Sequence, residues 1–416
     1  MKGKRLKIQL LLLLLMNYFT FALITNIPGI LLPFWKEDFA LSSTLVSFLG
    51  SAFFLAYGLT SLPQGILHDN IGSKKTLLWA VSLVLAGSMI FAFMPRYEVG
   101  LISLFIIGIG VTALQIVGNL LVKKVDDNPA KYSRNLTLAQ VFCGIGGAGG
   151  GFLIGYLIKD LGFQWTSIYF IFGGLALLLA VFALTIKIPE TAVEAGYSKP
   201  TKEDYLKLLS NPLMFLFALG IFIYVGIEVG IATWISTFLM ENRAVDILLA
   251  AKIVSLYWIF QSVGRLIGGF VLNYLPAPKA LIEYALAALA CLIIAVVAPT
   301  ANLSMIGFIA VGFFTSIMFP SIFSLAVNSF DKRQEGTVAG ILCSAIAGGA
   351  ITTPVIGFIS ALTNSLTLGL LVAGTVSFLY IALVGITTLR KPVLIPVDSG
   401  ITESNINPEV KEEITA

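Results

Sequence analysis

The sequence predicts an all-α membrane protein of about twelve spanning helices, arranged as two successive bundles of six. Three observations carry that reading. Of 416 residues, 57% are hydrophobic and only 12% charged, with a mean hydropathy of +0.95. Charged residues make up about a quarter of an ordinary globular sequence, so a soluble domain cannot hide this much apolar side chain. The apolar residues come in runs of roughly 20, the length an α-helix needs to cross about 30 Å of hydrocarbon. The runs are continuous rather than alternating, which selects helices over a closed barrel, the other structure that satisfies its backbone in lipid.

The first span, residues 8–34, follows a basic start. Its Leu run has the form of a secretory leader, yet the apolar stretch continues past Phe21 to Leu32 with no small-residue cleavage site, so it is read as an uncleaved span. Further spans follow at 42–67, 76–94, 99–122, 136–159 and 165–187. The polar connection "PETAVEAGYSKPTKEDYLKLLSN" separates these six from 211–240, 247–274, 279–298, 301–328, 336–363 and 366–389. The expected division is an N-terminal bundle over 1–188, a cytoplasmic linker over 189–210, a C-terminal bundle over 211–390 and a polar, disordered tail over 391–416.

Lys and Arg set the orientation. Lys2, Lys4, Arg5 and Lys7 precede the first span, and the even loops add Lys74, Lys75, Lys123, Lys124, Lys131, Arg134, Lys199, Lys202, Lys207, Lys332 and Arg333. Odd loops hold isolated cases such as Lys36, Arg96 and Arg243. The positive-inside rule then places both termini and the linker in the cytoplasm, across a cell inner membrane. The net charge of +4 is spread over short loops and gives no reason to expect nucleic acid. Cys143, Cys291 and Cys343 all fall inside apolar runs without metal-ligand spacing, so buried structural thiols are expected, with no metal and no cofactor.

The two halves resemble each other. "GILHDNIGSKKTLL" overlays "GFVLNYLPAPKALI", with Gly65 over Gly269, Asp69 over Asn273 and Lys75 over Lys279; "GGAGGGFLIGYLI" likewise overlays "GGAITTPVIGFIS". Both pairs run in the same direction, so the repeat is parallel, the arrangement that flanks a mid-membrane site in transporters with two rocking halves.

The loop after the second span carries a family pattern. Gly65, Leu67, Asp69, Gly72, Lys74 and Lys75 fit G-x-L-x-D-x-x-G-x-(K/R)-(K/R), and with the span count and central linker the chain resembles the major facilitator superfamily. Within it, "SRNLTLAQVF", "YVGIEVG", "SVGRLIGGF", "FPSIFSLAV" and "GGAITTPVIGF" resemble the sugar-proton symporter group of fucose and glucose/galactose permeases. The resemblance implies the major facilitator fold, and that Asp69 contacts a helix N-terminus and basic residues across the halves when the cytoplasmic side is closed. The chain also departs from the fucose branch. "PGILLP" puts Pro28 and Gly29 where that branch has Asn-Asp, Gln115 replaces a Glu, Cys143 an Asn, and Glu228 a Gln.

Asp69, Gly72, Lys74, Lys75 and Arg265 are therefore gating candidates. The rival account of the hinge is topological, with basic residues pinning the loop and Gly72 permitting a tight turn. His68 is read as a loop residue rather than a proton relay.

Polar residues inside spans supply the binding candidates. Gln115 and Asn119 are four apart on one helical face; each amide offers donor and acceptor, as a hydroxyl does, though interhelical bonding is an equally ordinary use. Gln140 and Asn26 join them. Glu228 is flanked by Gly226 and Gly230, with Tyr224 one turn earlier. Burial favours the neutral form of a carboxyl, so Glu228 is a candidate to bind a sugar hydroxyl, to carry the coupling proton, or both, unless it pairs permanently with Arg265. Tyr257, Trp258 and Gln261 fall within about one turn, where rings stack on sugar C–H faces and an amide reads hydroxyls; core packing is the alternative. Phe319, Asn328 and Phe323 are further cavity candidates. The run "GIGGAGGG", Gly144 to Gly151, lacks the Lys-Ser/Thr ending of a phosphate loop and suits close helix contact between the halves.

The expected activity is import of a monosaccharide or close derivative by a monomer in the lipid bilayer, through alternating access, coupled to H+ with Na+ as the other option. A drug or metabolite exporter is the rival within transport, and a non-transporting sugar sensor the rival outside it. No triad, metal cluster or paired carboxylates point to an enzyme.

Overall fold

The structure is a computed structural model that describes residues 2–41, 43–126, 128–146, 155–189 and 199–390. The tail expected over 391–416 and most of the glycine run lie outside the described residues. The described chain is helical. It comprises α1 (Lys2–Asp38), α2 (Ser43–Phe93), α3 (Tyr97–Val125), α4 (Pro129–Ala139), α5 (Ser167–Thr185), α6 (Lys202–Leu209), α7 (Pro212–Arg243), α8 (Ile247–Val271), α9 (Ala277–Val297), α10 (Ala301–Thr315), α11 (Met318–Val327), α12 (Glu335–Ser344), α13 (Gly348–Thr363) and α14 (Leu366–Arg390).

Among the described residues, ten helical stretches are long and apolar enough to cross a membrane. They hold eleven of the twelve expected spans, all but the fifth. Phe48–Phe93 covers 46 residues, about 70 Å at 1.5 Å per residue, twice the thickness of a hydrocarbon core. It holds two spans joined at Gly72, whose φ of 81° and ψ of 166° interrupt the helix. That is a left-handed conformation open to glycine and strained for other residues. The fifth expected span falls on α4, a helical segment over 141–146, the undescribed 147–154 and a wide turn over Gly155–Asp160.

Local chemistry sets several ends. Asn128 and Asn211 each cap a helix whose first residue is proline, accepting from Ala130 N–H at 3.0 Å and Leu213 N–H at 2.9 Å. Asp246 caps α8 through Leu248 and Leu249, and Asn364 ends α13 in the left-handed region. In the first half, Trp35, Phe91, Trp165 and Tyr169 stack at the end away from the basic loops, where Asp38 accepts from the Trp165 indole at 2.6 Å.

The halves meet by exchanging equivalent helices. α2 packs along α12, and α4 along α8 and α11. The α2–α12 seam is backbone on backbone: a side chain at Gly65 would collide with the Gly336 carbonyl, and one at Gly340 with the Ser61 carbonyl.

Candidate functional site

Two polar clusters stand near the middle of the long helices, one in each half. Glu228 lies midway along the 32-residue α7 and is buried. Its Oε1 accepts from the Tyr224 hydroxyl, one turn earlier on the same face, and from the Gln261 amide of α8. Tyr257, one turn before Gln261, donates to the Glu228 backbone carbonyl at 3.2 Å. Oε2 accepts no hydrogen bond from the described residues and retains exposure. The carboxylate is thus clamped by one oxygen and presents the other. Phe319 of α11 stands beside the Tyr224 ring, centroids 6.4 Å apart, and stacks on Phe323.

Arg265 lies one turn beyond Gln261 and is half-buried. Among the described residues no ion pair joins it to Glu228, and its Nε is buried without a hydrogen-bond partner. Its charge acts on both Glu228 and Cys143 of the first half. A permanent Glu228–Arg265 bridge is therefore absent from this conformation.

In the first half, Tyr18, near the midpoint of α1, donates to Asn119 Oδ1 at 2.6 Å and faces Gln140. Tyr132 donates to the Asn119 carbonyl at 2.9 Å, and Asn17 donates to the Leu114 carbonyl at 2.9 Å. The protein leaves some of this polarity unmet: Asn119 Nδ2, Gln115 Oε1 and Asn17 Oδ1 are buried without partners among the described residues. An unmet buried polar atom costs about 1–3 kcal/mol, so three in one cluster mark a place built for hydrogen-bonding company.

Not every expected residue joins these clusters. Asn26 is exposed and donates to the Ala22 carbonyl of its own helix at 2.7 Å. Trp258 is 40% exposed, on the face of α8 that carries Ser262 one turn later, and Ser262 touches Gly144 across the seam. Asn328 caps the C-terminus of α11 and donates to the Pro129 carbonyl at 3.1 Å, which places it at the basic end rather than in the cavity. Residues not singled out from the sequence include Asn17, Tyr18, Tyr57 and Tyr132; the signal available was "NY" inside a Leu run, a polar pair where lipid-facing sequence has none.

Asp69, Gly72, Lys74 and Lys75, four of the five gating candidates, lie at the basic end, where the side-chain hydrogen bonds between the halves are found among the described residues. Asp69 is buried; its Oδ1 accepts from Gly336 N–H at 2.7 Å, and its Oδ2 from Thr337 N–H at 2.9 Å and the Thr337 hydroxyl at 2.5 Å. These are first-turn donors of α12, which have no partner within their own helix, and the positive end of its dipole faces the carboxylate. Lys123 pairs with Glu335 at 2.5 Å, Ser133 meets Ser321 at 3.1 Å, and Arg134 donates to Asn273 at 2.7 Å. The expected basic residues of the opposite half do not reach Asp69 among the described residues, where its donors are Gly336 and Thr337; Lys74 holds the Leu184 and Ile186 carbonyls at the end of α5, and Lys75 is exposed. His68 is no loop residue. It is 3% exposed and its Nε2 shares a hydrogen bond with Ser73 Oγ at 2.9 Å across the Gly72 kink.

The chain is similar to known proteins in sequence and in fold. Residues 14–354 match the Major Facilitator Superfamily. The chain belongs to that superfamily. A glucose/galactose transporter of Brucella abortus biovar 1 (strain 9-941) is 32% identical over 80% of this chain and 83% of its own. The L-fucose-proton symporter of Escherichia coli (strain K12) is 25% identical over 82% of this chain and 85% of its own. The crystal structure of a major facilitator transporter in the outward conformation superposes with a TM-score of 0.80, at 23% identity, over 91% of this chain and 98% of that one. This superfamily member is a multi-pass membrane transporter, not an enzyme.

Proposed function

We propose that the chain carries a monosaccharide or close sugar derivative into the cell by alternating access, coupled to a cation gradient with the proton as first candidate. The carrying observation is the clamped carboxylate: Glu228 fixed through Oε1 by Tyr224 and Gln261, with Oε2 left to engage. Across the seam stand the unmet amides of Gln115 and Asn119. A hydroxyl donates and accepts, so a carboxylate oxygen on one side and amides on the other suit a polyol better than an apolar or cationic solute. The relatives, a glucose/galactose transporter and a fucose-proton symporter, support the same class.

The bundles over 1–188 and 211–390 move as the two bodies, with 189–210 joining them. By the charge rule the basic end is cytoplasmic, which puts both termini there, in a cell inner membrane. The Asp69 contacts then close the cytoplasmic side, and substrate reaches the clusters from outside. Asp69 is a latch: a partly buried carboxylate at a helix N-terminus is worth up to ~2 kcal/mol, roughly thirty-fold in a two-state equilibrium, and still breakable in each cycle. Glu228 carries the proton, binding it with sugar on one side and releasing it on the other.

Uptake into liposomes tests this directly. A panel of neutral, acidic and N-acetylated sugars is offered with imposed pH or sodium gradients. Accumulation under an acid-outside gradient, reduced at least about ten-fold by Glu228→Gln while downhill exchange persists, is the expected result. No uptake of any sugar overturns the substrate class; full accumulation by Glu228→Gln overturns the proton role.

A further inference from the structure

The start of α12 is held at a second point beside Asp69. Lys123, in the last turn of α3, pairs with Glu335, the first residue of α12, and the next two residues of that helix are the Asp69 donors. An ammonium on a flexible four-carbon stem has many rotamers, and fixing one of them against a partner costs entropy.

Tyr132, near the start of α4, supplies the restraint. It is buried, and the Lys123 ammonium lies over its ring, 5.5 Å from the centroid. Within about 6 Å the negative face of an aromatic ring attracts a cation, more strongly where water is excluded. Water is largely excluded here, for the Lys123 and Glu335 side chains are 13% and 14% exposed. The ring is itself fixed, because its hydroxyl donates to the Asn119 carbonyl at 2.9 Å. Asn119 and Lys123 are four apart on one face of α3, so Tyr132 touches that face at two successive turns, with its hydroxyl at one and its ring at the next.

Lys123, Tyr132 and Asn119 all belong to the first half, and Glu335 to the second. The tyrosine does not cross the seam; it prepares the lysine that does. Preparation favours the shut state in two ways. The lysine is already ordered when Glu335 arrives, so closing loses less side-chain freedom. The ring's hold on the cation also strengthens as water leaves the seam, which offsets part of the desolvation cost of the ion pair.

We propose that Tyr132 is a positioning residue for the gate, its ring holding the Lys123 ammonium in place to meet Glu335 at the start of α12. This rests on the reading that the contacts at the basic end close the cytoplasmic side.

The test uses the full chain in liposomes, with spin labels on the exposed positions Lys7 and Lys332, one per half, attached by a chemistry that spares the native cysteines. Double electron–electron resonance gives the ratio of open to closed populations at the basic end. Tyr132 is replaced by phenylalanine, by leucine and by trifluorophenylalanine, each with Lys123 present and beside Lys123→Met. Tyr132→Phe keeps the ring face and is expected to stay within about two-fold of wild type. Tyr132→Leu removes the ring and should raise the ratio about three- to ten-fold. Trifluorophenylalanine keeps the shape of phenylalanine while its fluorines draw charge from the ring face, so it should move at least about two-fold from Tyr132→Phe toward Tyr132→Leu. Beside Lys123→Met the three replacements should agree within about two-fold, because no cation remains to hold. The positioning role is wrong if Lys123→Met shifts the ratio while leucine and trifluorophenylalanine both match phenylalanine. It is equally wrong if the leucine effect persists undiminished beside Lys123→Met, since the ring is then packing alone. An unchanged ratio in Lys123→Met overturns the gate role of the ion pair, and the proposal with it. Should Tyr132→Leu fail to fold, the two isosteric rings decide the matter between them.

Discussion

Asp69 and Asn273 occupy equivalent places in the internal repeat, and each reaches the helix that begins the opposite seam, yet the two contacts differ in kind. Asp69 is a buried carboxylate on the N-terminus of α12, with three donors of 2.5–2.9 Å. Asn273 is a neutral amide that accepts one bond from Arg134 at 2.7 Å near the start of α4. Arg134 is shared with Asn135, at 2.6 and 2.9 Å, and stands 3.9 Å from Asp126. Lys123–Glu335 reinforces the Asp69 side, with both side chains less than 15% exposed. Two halves with similar sequence patterns thus contribute unequally: the Asp69 seam carries the stronger contacts, as a gate that it holds would require.

The largest test of that asymmetry is Asp69→Asn. Losing charge-assisted bonds to a helix terminus should cost the closed state about 2–3 kcal/mol, roughly 30- to 150-fold in the open-to-closed population ratio read by double electron–electron resonance between spin labels on the exposed positions Lys131 and Lys332. Lys123→Met comes next. It leaves Glu335 unpaired in a mostly buried setting, and should shift the same ratio about ten-fold; a shift under two-fold would put the strength of that seam in Asp69 alone. Asn273→Asp sharpens the comparison by giving Arg134 an ionic partner. It should stabilise the closed state a few-fold and slow sugar counterflow, since opening then breaks two charged contacts. Arg134→Gln is the smallest, about 0.5 kcal/mol or less, because a partly exposed cation divided among several acceptors contributes little to any one of them. An effect of Arg134→Gln equal to that of Asp69→Asn would erase the distinction between the seams.

Much of this architecture was legible in residue order. Hydropathy located the spans, and Gly72 followed by two lysines marked the bend between the second and third. An Asp that topology does not require pointed to a contact, although its donors, Gly336 and Thr337, lie 267 and 268 residues away. Helical periodicity tells which residues share a face, not which helix that face meets. Hence Glu228, Tyr224 and Gln261 stood out, while Tyr18 on Asn119 did not. Proximity within a turn also misleads: Tyr257 and Gln261, four apart, share a face, but Trp258 turns to the seam. Asn328 shows how boundaries matter, since ending α11 at Val327 makes the next residue a cap instead of a lining group. Lys74 read as a topology signal, and what it touches is the carbonyl end of α5.

The closed seam also carries an unforgiving tolerance. Gly65, Gly336 and Gly340 let two backbones lie directly against each other, with no pliable side chain between them to absorb an error. One added methyl at any of the three acts as a wedge in a door frame, and the natural code can only make these positions larger. Drift there is expected to give proteins that fold and insert but hold the basic end of the seam apart, a defect that assays of expression would miss and that a leak measurement would catch.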